Sequence, residues 1–225
     1  MPDQNTSPPR AGHPPEAVRP AAQERPVLLV VLGVAGILGC LIFAVAVIVA
    51  DIVVPDKSAI ADTISDLGAG RYEYIVDIGI YAFSLSLIAC AIAAAHAHLG
   101  ETGWSVGLLG LALAGLVVFL VGARNEYGDA DSDGVIIHMY LVYALGVIFA
   151  VVPWAMSGGA DRAGKTYGRI FRAVSAVWVV AAPVFLVLPT DIDGIYERGL
   201  GVIVFCFIIP LSWLFLRRGR ATRAG

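Results

Sequence analysis

Six long apolar runs, each free of Asp, Glu, Lys and Arg, alternate with short polar gaps along the chain. They cover residues 27–50, 78–95, 104–123, 135–156, 173–188 and 199–216. A hydrocarbon layer about 30 Å thick needs roughly 20 apolar residues in a helix to cross it. The pattern therefore predicts six transmembrane helices and an all-α, polytopic membrane protein. Six spans use most of the chain and leave no room for a separate soluble domain. The expected organisation is a disordered tail over 1–26, a membrane domain over 27–216 and a basic tail over 217–225. The first 26 residues are rich in Pro, Ala and polar side chains and lack apolar periodicity, as disordered segments do. The first apolar run exceeds the 7–15 residues of a signal-peptide core, so it reads as an uncleaved first helix.

Composition supports this picture: 58% of the 225 residues are hydrophobic and 15% are charged, against about 25% charged in soluble domains. The charges are polarised. Arg10, Arg19, Arg25, Arg162, Lys165, Arg169, Arg172, Arg217, Arg218, Arg220 and Arg223 fall on one side of the predicted bundle, and Lys57, Arg71, Arg124 and Arg198 on the other. The excess of Lys and Arg marks the cytoplasmic side, so both termini are expected there. Thirteen of the 18 acidic residues lie on the opposite face. The basic residues flank helices and build no patch of the kind that binds nucleic acid. Arg far outnumbers Lys, and Ala, Gly and Val abound, which points to a bacterial plasma (inner) membrane with membrane lipids as neighbours. The sequence names no protein partner.

Small residues recur four apart, as at Gly103 and Gly107 or Ala89 and Ala93, a spacing that lets helix backbones approach closely in lipid. Pro153, Pro183 and Pro210 fall inside predicted helices, where each removes a backbone donor. Cys40, Cys90 and Cys206 also lie in spans and match no metal-ligand spacing.

Polar groups at membrane depth are costly and mark functional sites. Asp51 ends the first span, Asp77 precedes the second, and Arg124 and Glu126 follow the third. His138 opens the fourth, and Glu197 and Arg198 precede the sixth. All are expected at the outer level. The stretch "TISDLGAGRYEY" (63–74) adds Ser65 and Asp66. As a helical turn over 62–67 it would carry Asp62, Ser65 and Asp66 on one face, with Gly68 and Gly70 ending the turn and Tyr72 and Tyr74 at the interface. Candidate catalytic residues are Ser65, Asp66, His138 and Glu197. Candidate binding residues are Asp51, Asp62, Asp77, Arg124 and Arg198.

The run "ISDLGAG" resembles a bacterial membrane family catalogued as domain of unknown function 998. The Asp77-Ile78-Gly79 triplet is similar to that family's Asn-x-Gly, His138 to its histidine at the start of the fourth helix, and Gly194 to Arg198 to its G-x-x-E-R opening of the last helix. The resemblance covers roughly residues 30–216 and implies the six-helix fold. A more distant similarity links "ISDLGA" to the Frag1/DRAM/Sfk1 family of six-helix eukaryotic proteins, some of which act in lipid-anchor remodelling and others in lysosomal membranes.

Several chemistries can be weighed against these residues. Asp129, Asp131 and Asp133 in "DADSDG" match the first positions of a calcium loop, but Tyr140 stands where its terminal Glu belongs. That excludes an EF-hand and leaves a simpler divalent-cation site. Haem ligation is not expected, because His96 and His98 lie at the inner end and His138 at the outer. Ser65, His138 and an acid supply the residue types for hydrolysis or acyl transfer, and His138 with Asp66 and Asp77 those for metal-assisted hydrolysis. Mid-membrane carboxylates, which proton-coupled transporters use, are absent from the runs. The expectation is a polar outer-leaflet site recognising a lipid or lipid-linked headgroup, with catalysis on it left open. A non-enzymatic accessory or assembly protein is the alternative, followed by a small-solute or proton-coupled transporter.

Overall fold

The computed structural model describes residues 25–100, 102–123 and 132–224. Among these, every regular element is helical. The helices are α1 (Pro26–Val53), the short α2 (Ile64–Leu67), α3 (Glu73–Ala97), α4 (Thr102–Ala123), α5 (Ser132–Ala163), α6 (Lys165–Phe185) and α7 (Asp193–Ala224). A 3-10 turn over Gly70–Tyr72 leads into α3. All but α2 are long and apolar enough to cross a membrane. The protein is a multi-pass integral membrane protein.

Helix limits run past the uncharged stretches. α6 begins at Lys165 rather than near 173, α5 continues to Ala163, and α7 extends from Asp193 to Ala224, taking in most of the expected basic tail. Charges end an apolar run, but they do not end the i to i−4 hydrogen bonding that holds a helix. Charged turns project beyond the apolar layer as helix. α1 begins where Pro26 occupies the first turn, a position that needs no N–H donor.

The six long helices close into a ring. α1 packs on α3 and α7, α3 on α4, α4 on α5, α5 on α6, and α6 back on α7. Each seam has its own device. A stripe of glycines on α1 admits neighbouring backbone: a Cβ on Gly33 would lie 2.7 Å from the Ser212 carbonyl oxygen, and one on Gly39 2.4 Å from that of Ala82. On α4, Gly103 faces the Ala155 backbone and Gly107 faces the Met156 side chain. Ala89 and Ala93 are buried on α3. The four-residue spacing thus marks close packing faces. Hydroxyl and indole groups tie seams to carbonyls: Ser84 Oγ donates to Gly115 O at 2.7 Å and Trp178 Nε1 to Gly146 O at 2.8 Å. Tyr196 Oη donates to Ala181 O at 2.9 Å. Such bonds satisfy side-chain donors where water is absent.

The ring's outside is apolar. On α1, Val31, Leu38, Val45 and Ile52 recur every seventh position and are exposed, as a lipid-facing stripe requires. Pro26 at the start of α1 lies beside Gly219 near the end of α7, so both ends of the described bundle share one face. Nine described Lys and Arg positions lie at that end, against Lys57, Arg71 and Arg198 at the other.

The glycine seam gives a direct test. Gly39→Val should overpack the α1–α3 contact and lower stability by about 2 kcal/mol. Gly158→Ala, where a Cβ meets nothing within 4 Å, should leave stability unchanged or raise it. Thermal melts of both variants in mild detergent check the contrast; equal melting temperatures would contradict this packing.

Candidate functional site

The link between α1 and α3 folds over the end of the ring away from the chain termini. Its centre is α2, a single turn fixed by a capping box. Asp66 N donates to Thr63 Oγ1 at 3.1 Å, and Thr63 N donates to Asp66 Oδ2 at 2.8 Å. The T-x-x-D spacing at 63–66 is the sequence signature of this motif. Below it, Ile64 and Leu67 are buried against Val47, Ala50 and Val76 of α1 and α3. Gly70 has φ +79 and supplies the left-handed turn before α3, whereas Gly68 has an ordinary φ of −78. Only Gly70 uses the freedom expected of both.

Long-range bonds hold α2 down. Ser65 Oγ and His138 Nε2 on α5 share a hydrogen bond of 3.1 Å. Glu197 Oε2 on α7 accepts from Ile64 N at 2.6 Å, satisfying the first helical N–H of α2, which has no partner within its own helix. Arg198 binds Asp51 at the end of α1 through Nε and Nη2, at 3.2 and 2.5 Å. Its Nη1 donates to the carbonyls of Asp62 and Gly194 at 2.9 and 2.8 Å. Ile195 N donates to Ile60 O at 3.0 Å. Gly194 itself abuts the Asp62 backbone, where a Cβ would lie 2.2 Å from its carbonyl oxygen. The G-x-x-E-R segment is therefore a clamp: Gly194 for close approach, Glu197 for α2, Arg198 for α1 and the loop.

Asp62, Ser65 and Asp66 do not present one face. Asp62 turns outward, accepting from Lys57 Nζ at 2.9 Å and Ser58 N at 2.7 Å. Asp66 turns back on Thr63, so it does not orient His138. The helix begins only at Ile64, and the cap directs each side chain differently. Of the catalytic candidates, Ser65, His138 and Glu197 converge and Asp66 serves the local cap. Among the binding candidates, Asp51 and Arg198 pair, Asp62 joins through its carbonyl, and Asp77 stands in the first turns of α3. Arg124, Asp129 and Asp131 lie outside the described residues, as does the side chain of Asp133. Among the described residues, no three His, Cys, Asp or Glu side chains group as metal ligands.

Under α2 lies a cavity of about 560 Å³, lined by residues from all seven helices. Ser65, Asp77, His138 and Glu197 line its upper end, and Phe43, Phe83, Val118, Ala150, Leu200 and Val204 are among its apolar walls. Val147, Val179 and Leu186 line it while being more than half exposed, so the cavity reaches the flank of the bundle along α5 and α6. His138 is only 4% exposed. The model of the family described as "Protein of unknown function (DUF998)" matches residues 37–214, from the middle of α1 to the C-terminal half of α7.

The chain belongs to the DUF998 family. No curated protein and no solved structure matches it. In this DUF998 protein the family-like segments around Ser65, Asp77, His138 and Glu197 meet at one cavity. Gly79, next in the Asp77 triplet, packs on Phe43 and Ala46. The aromatic lining, notably Trp178 and Phe205, was missed from sequence, because aromatic residues in apolar spans carry no local sign of facing a cavity.

Two outcomes follow for the clamp. The Arg198–Asp51 side chains are 14% and 19% exposed, and removing one partner of a buried pair leaves an uncompensated charge. Asp51→Ala should cost about 3 kcal/mol and speed protease cleavage of the 54–63 loop; an unchanged melt and digest would refute the clamp. The Asp62 carboxyl is held below its ordinary range, first by the Lys57 hydrogen bond and then by Ser58 N, and Lys57 is raised in turn by Asp62. A depressed carboxylate stabilises above its unfolded pKa of about 3.9, and the effect is lost as pH falls through the lower folded value. Amide exchange at 58–62 should therefore quicken below about pH 4 in wild type and be fast at all pH in Asp62→Asn.

Proposed function

We propose that this protein binds a membrane amphiphile, with the tail in the ring cavity and the polar head under α2 against Ser65, Asp77, His138 and Glu197. The observation that carries this reading is the cavity itself: apolar along its depth, polar at one end, and open along α5 and α6. Its volume of about 560 Å³ falls among those of small-molecule sites, which combine apolar walls with a few placed polar groups. An amphiphile has that same division. The basic positions at the end carrying the termini support a cytoplasmic location for that end, with the head site toward the outer leaflet of a bacterial plasma membrane.

One contact favours a second reading, in which bound lipid is also cleaved or transferred. Ser65 Oγ and His138 Nε2 at 3.1 Å stand as nucleophile and base do. In that chemistry Ser65 Oγ attacks an ester carbonyl while Nε2 takes its proton, then returns it to the leaving oxygen. Ser65→Ala separates the two readings, since it removes the nucleophile and leaves the cavity.

Native mass spectrometry of protein released from mild detergent tests binding. Wild type should retain an amphiphile. Gly146→Leu, which projects a side chain from a cavity-lining position with no atom within 4 Å of its Cβ, should lose at least tenfold of it while melting at or above the wild-type temperature. A wild type that carries no amphiphile, takes up none from added lipid, and behaves like Gly146→Leu would refute the reading and leave a purely structural or assembly role.

A further inference from the structure

The charge around the cavity narrows what its polar end can hold. This step rests on the amphiphile reading above and specifies the head. Two carboxylates, Asp77 and Glu197, line the cavity, and no Lys or Arg does among the described residues. The nearest guanidinium in sequence, Arg198, is bound to Asp51 and to two carbonyls. Asp77 makes no hydrogen bond or ion pair with any described residue, although it stands in the first turns of a membrane-spanning helix. A carboxylate so placed is costly without a counter-charge.

The apolar lining adds a second, independent sign. Phe43, Phe83, Tyr143, Trp178, Phe185 and Phe205 all line the cavity. Phe43, Phe83 and Phe205 form one cluster with ring centroids 5.4 to 6.2 Å apart. Aromatic faces attract cations through their quadrupole, most strongly where water is excluded, and recognition of ammonium groups uses this arrangement. An anionic head would meet the Asp77 carboxylate and the π faces of the aromatic walls.

We propose that the head is a cation: a protonated amine or quaternary ammonium group joined to an apolar tail, with Asp77 as its counter-ion. The same chemistry has two sources, an amine-bearing membrane lipid or a lipophilic amine entering from outside the membrane. In either case Asp77 faces the ammonium group while aromatic walls enclose the adjoining carbons.

The test compares three probes of one tail length, dodecyltrimethylammonium, dodecanol and dodecyl sulfate, titrated below their micellar range against the full chain in lipid nanodiscs. Tryptophan fluorescence, with Trp178 in the cavity wall, and thermal shift read binding. The ammonium probe should bind at least tenfold tighter than the alcohol, and the sulfate weakest. Asp77→Asn, an isosteric change, should erase the ammonium advantage without altering the alcohol. Native mass spectrometry then separates the sources: a co-purifying amine lipid assigns the ligand to the membrane, and an empty protein that takes the soluble amine assigns it to solution. Equal binding of all three probes, or a preference for sulfate, would overturn the cationic head and leave the amphiphile reading standing. Failure of every probe to bind would overturn both.

Discussion

The guanidinium of Arg198 is the point on which this architecture turns. One planar group engages the Asp51 carboxylate at the end of α1, the Asp62 carbonyl in the loop and the Gly194 carbonyl at the start of α7. α1 and α7 are remote in sequence, so no local interaction can hold their ends together. A lysine could not substitute, because its ammonium is a compact point charge without the rigid fork that reaches both oxygens of a carboxylate. With the ends fixed, the loop has one path across the ring, and that path places α2 over the cavity. Glu197, one residue earlier, completes the fastening by accepting from Ile64 N.

The ring and its cap have complementary roles. Glycine seams bring α1 close to α3 and α7 and α4 close to α5, which draws the structure tight toward the end bearing the termini. Toward the capped end the walls stand apart and leave a cavity rather than a packed core. α2 closes it with little secondary structure of its own, so its stability depends on the bonds from α5 and α7. Residues that hold the cap, Ser65, His138 and Glu197, also line the cavity. A ligand held in the cavity would therefore touch the same side chains that seat the cap.

Much of the fold was legible in the sequence because a bilayer imposes a length on every span, and six uncharged runs of that length can mean little else. The helix ends were less legible. Lys165 and Asp193 interrupt hydropathy but not backbone hydrogen bonding, so α6 and α7 begin earlier than their apolar runs. The site was legible in its level and not in its pairing. That Asp51, His138, Glu197 and Arg198 share one depth follows from their positions at helix ends. That Arg198 chooses Asp51, across 147 positions, has no local signature. Asp66 shows the opposite case: Thr63 three residues before it announces a capping box, and that nearby partner takes the carboxylate away from His138. The cavity walls were hidden because Phe43, Trp178 and Phe205 are as apolar as the residues that face lipid.

The central claim is that α2 docks on α5 across the mouth of the ring. It is tested most directly by an engineered metal bridge. Ser65→Cys would place a thiolate near where Ser65 Oγ now lies 3.1 Å from His138 Nε2, close to the roughly 3.5 Å that bonds of about 2.3 and 2.0 Å set between two ligands of a tetrahedral ion. Added Zn²⁺ should raise the melting temperature of Ser65→Cys, and should have no such effect on wild type, Ser65→Ala, or Ser65→Cys combined with His138→Ala. A folded Ser65→Cys protein that shows no zinc-dependent shift beyond those controls would mean that α2 and α5 do not meet, and the account of the site would fall with that contact.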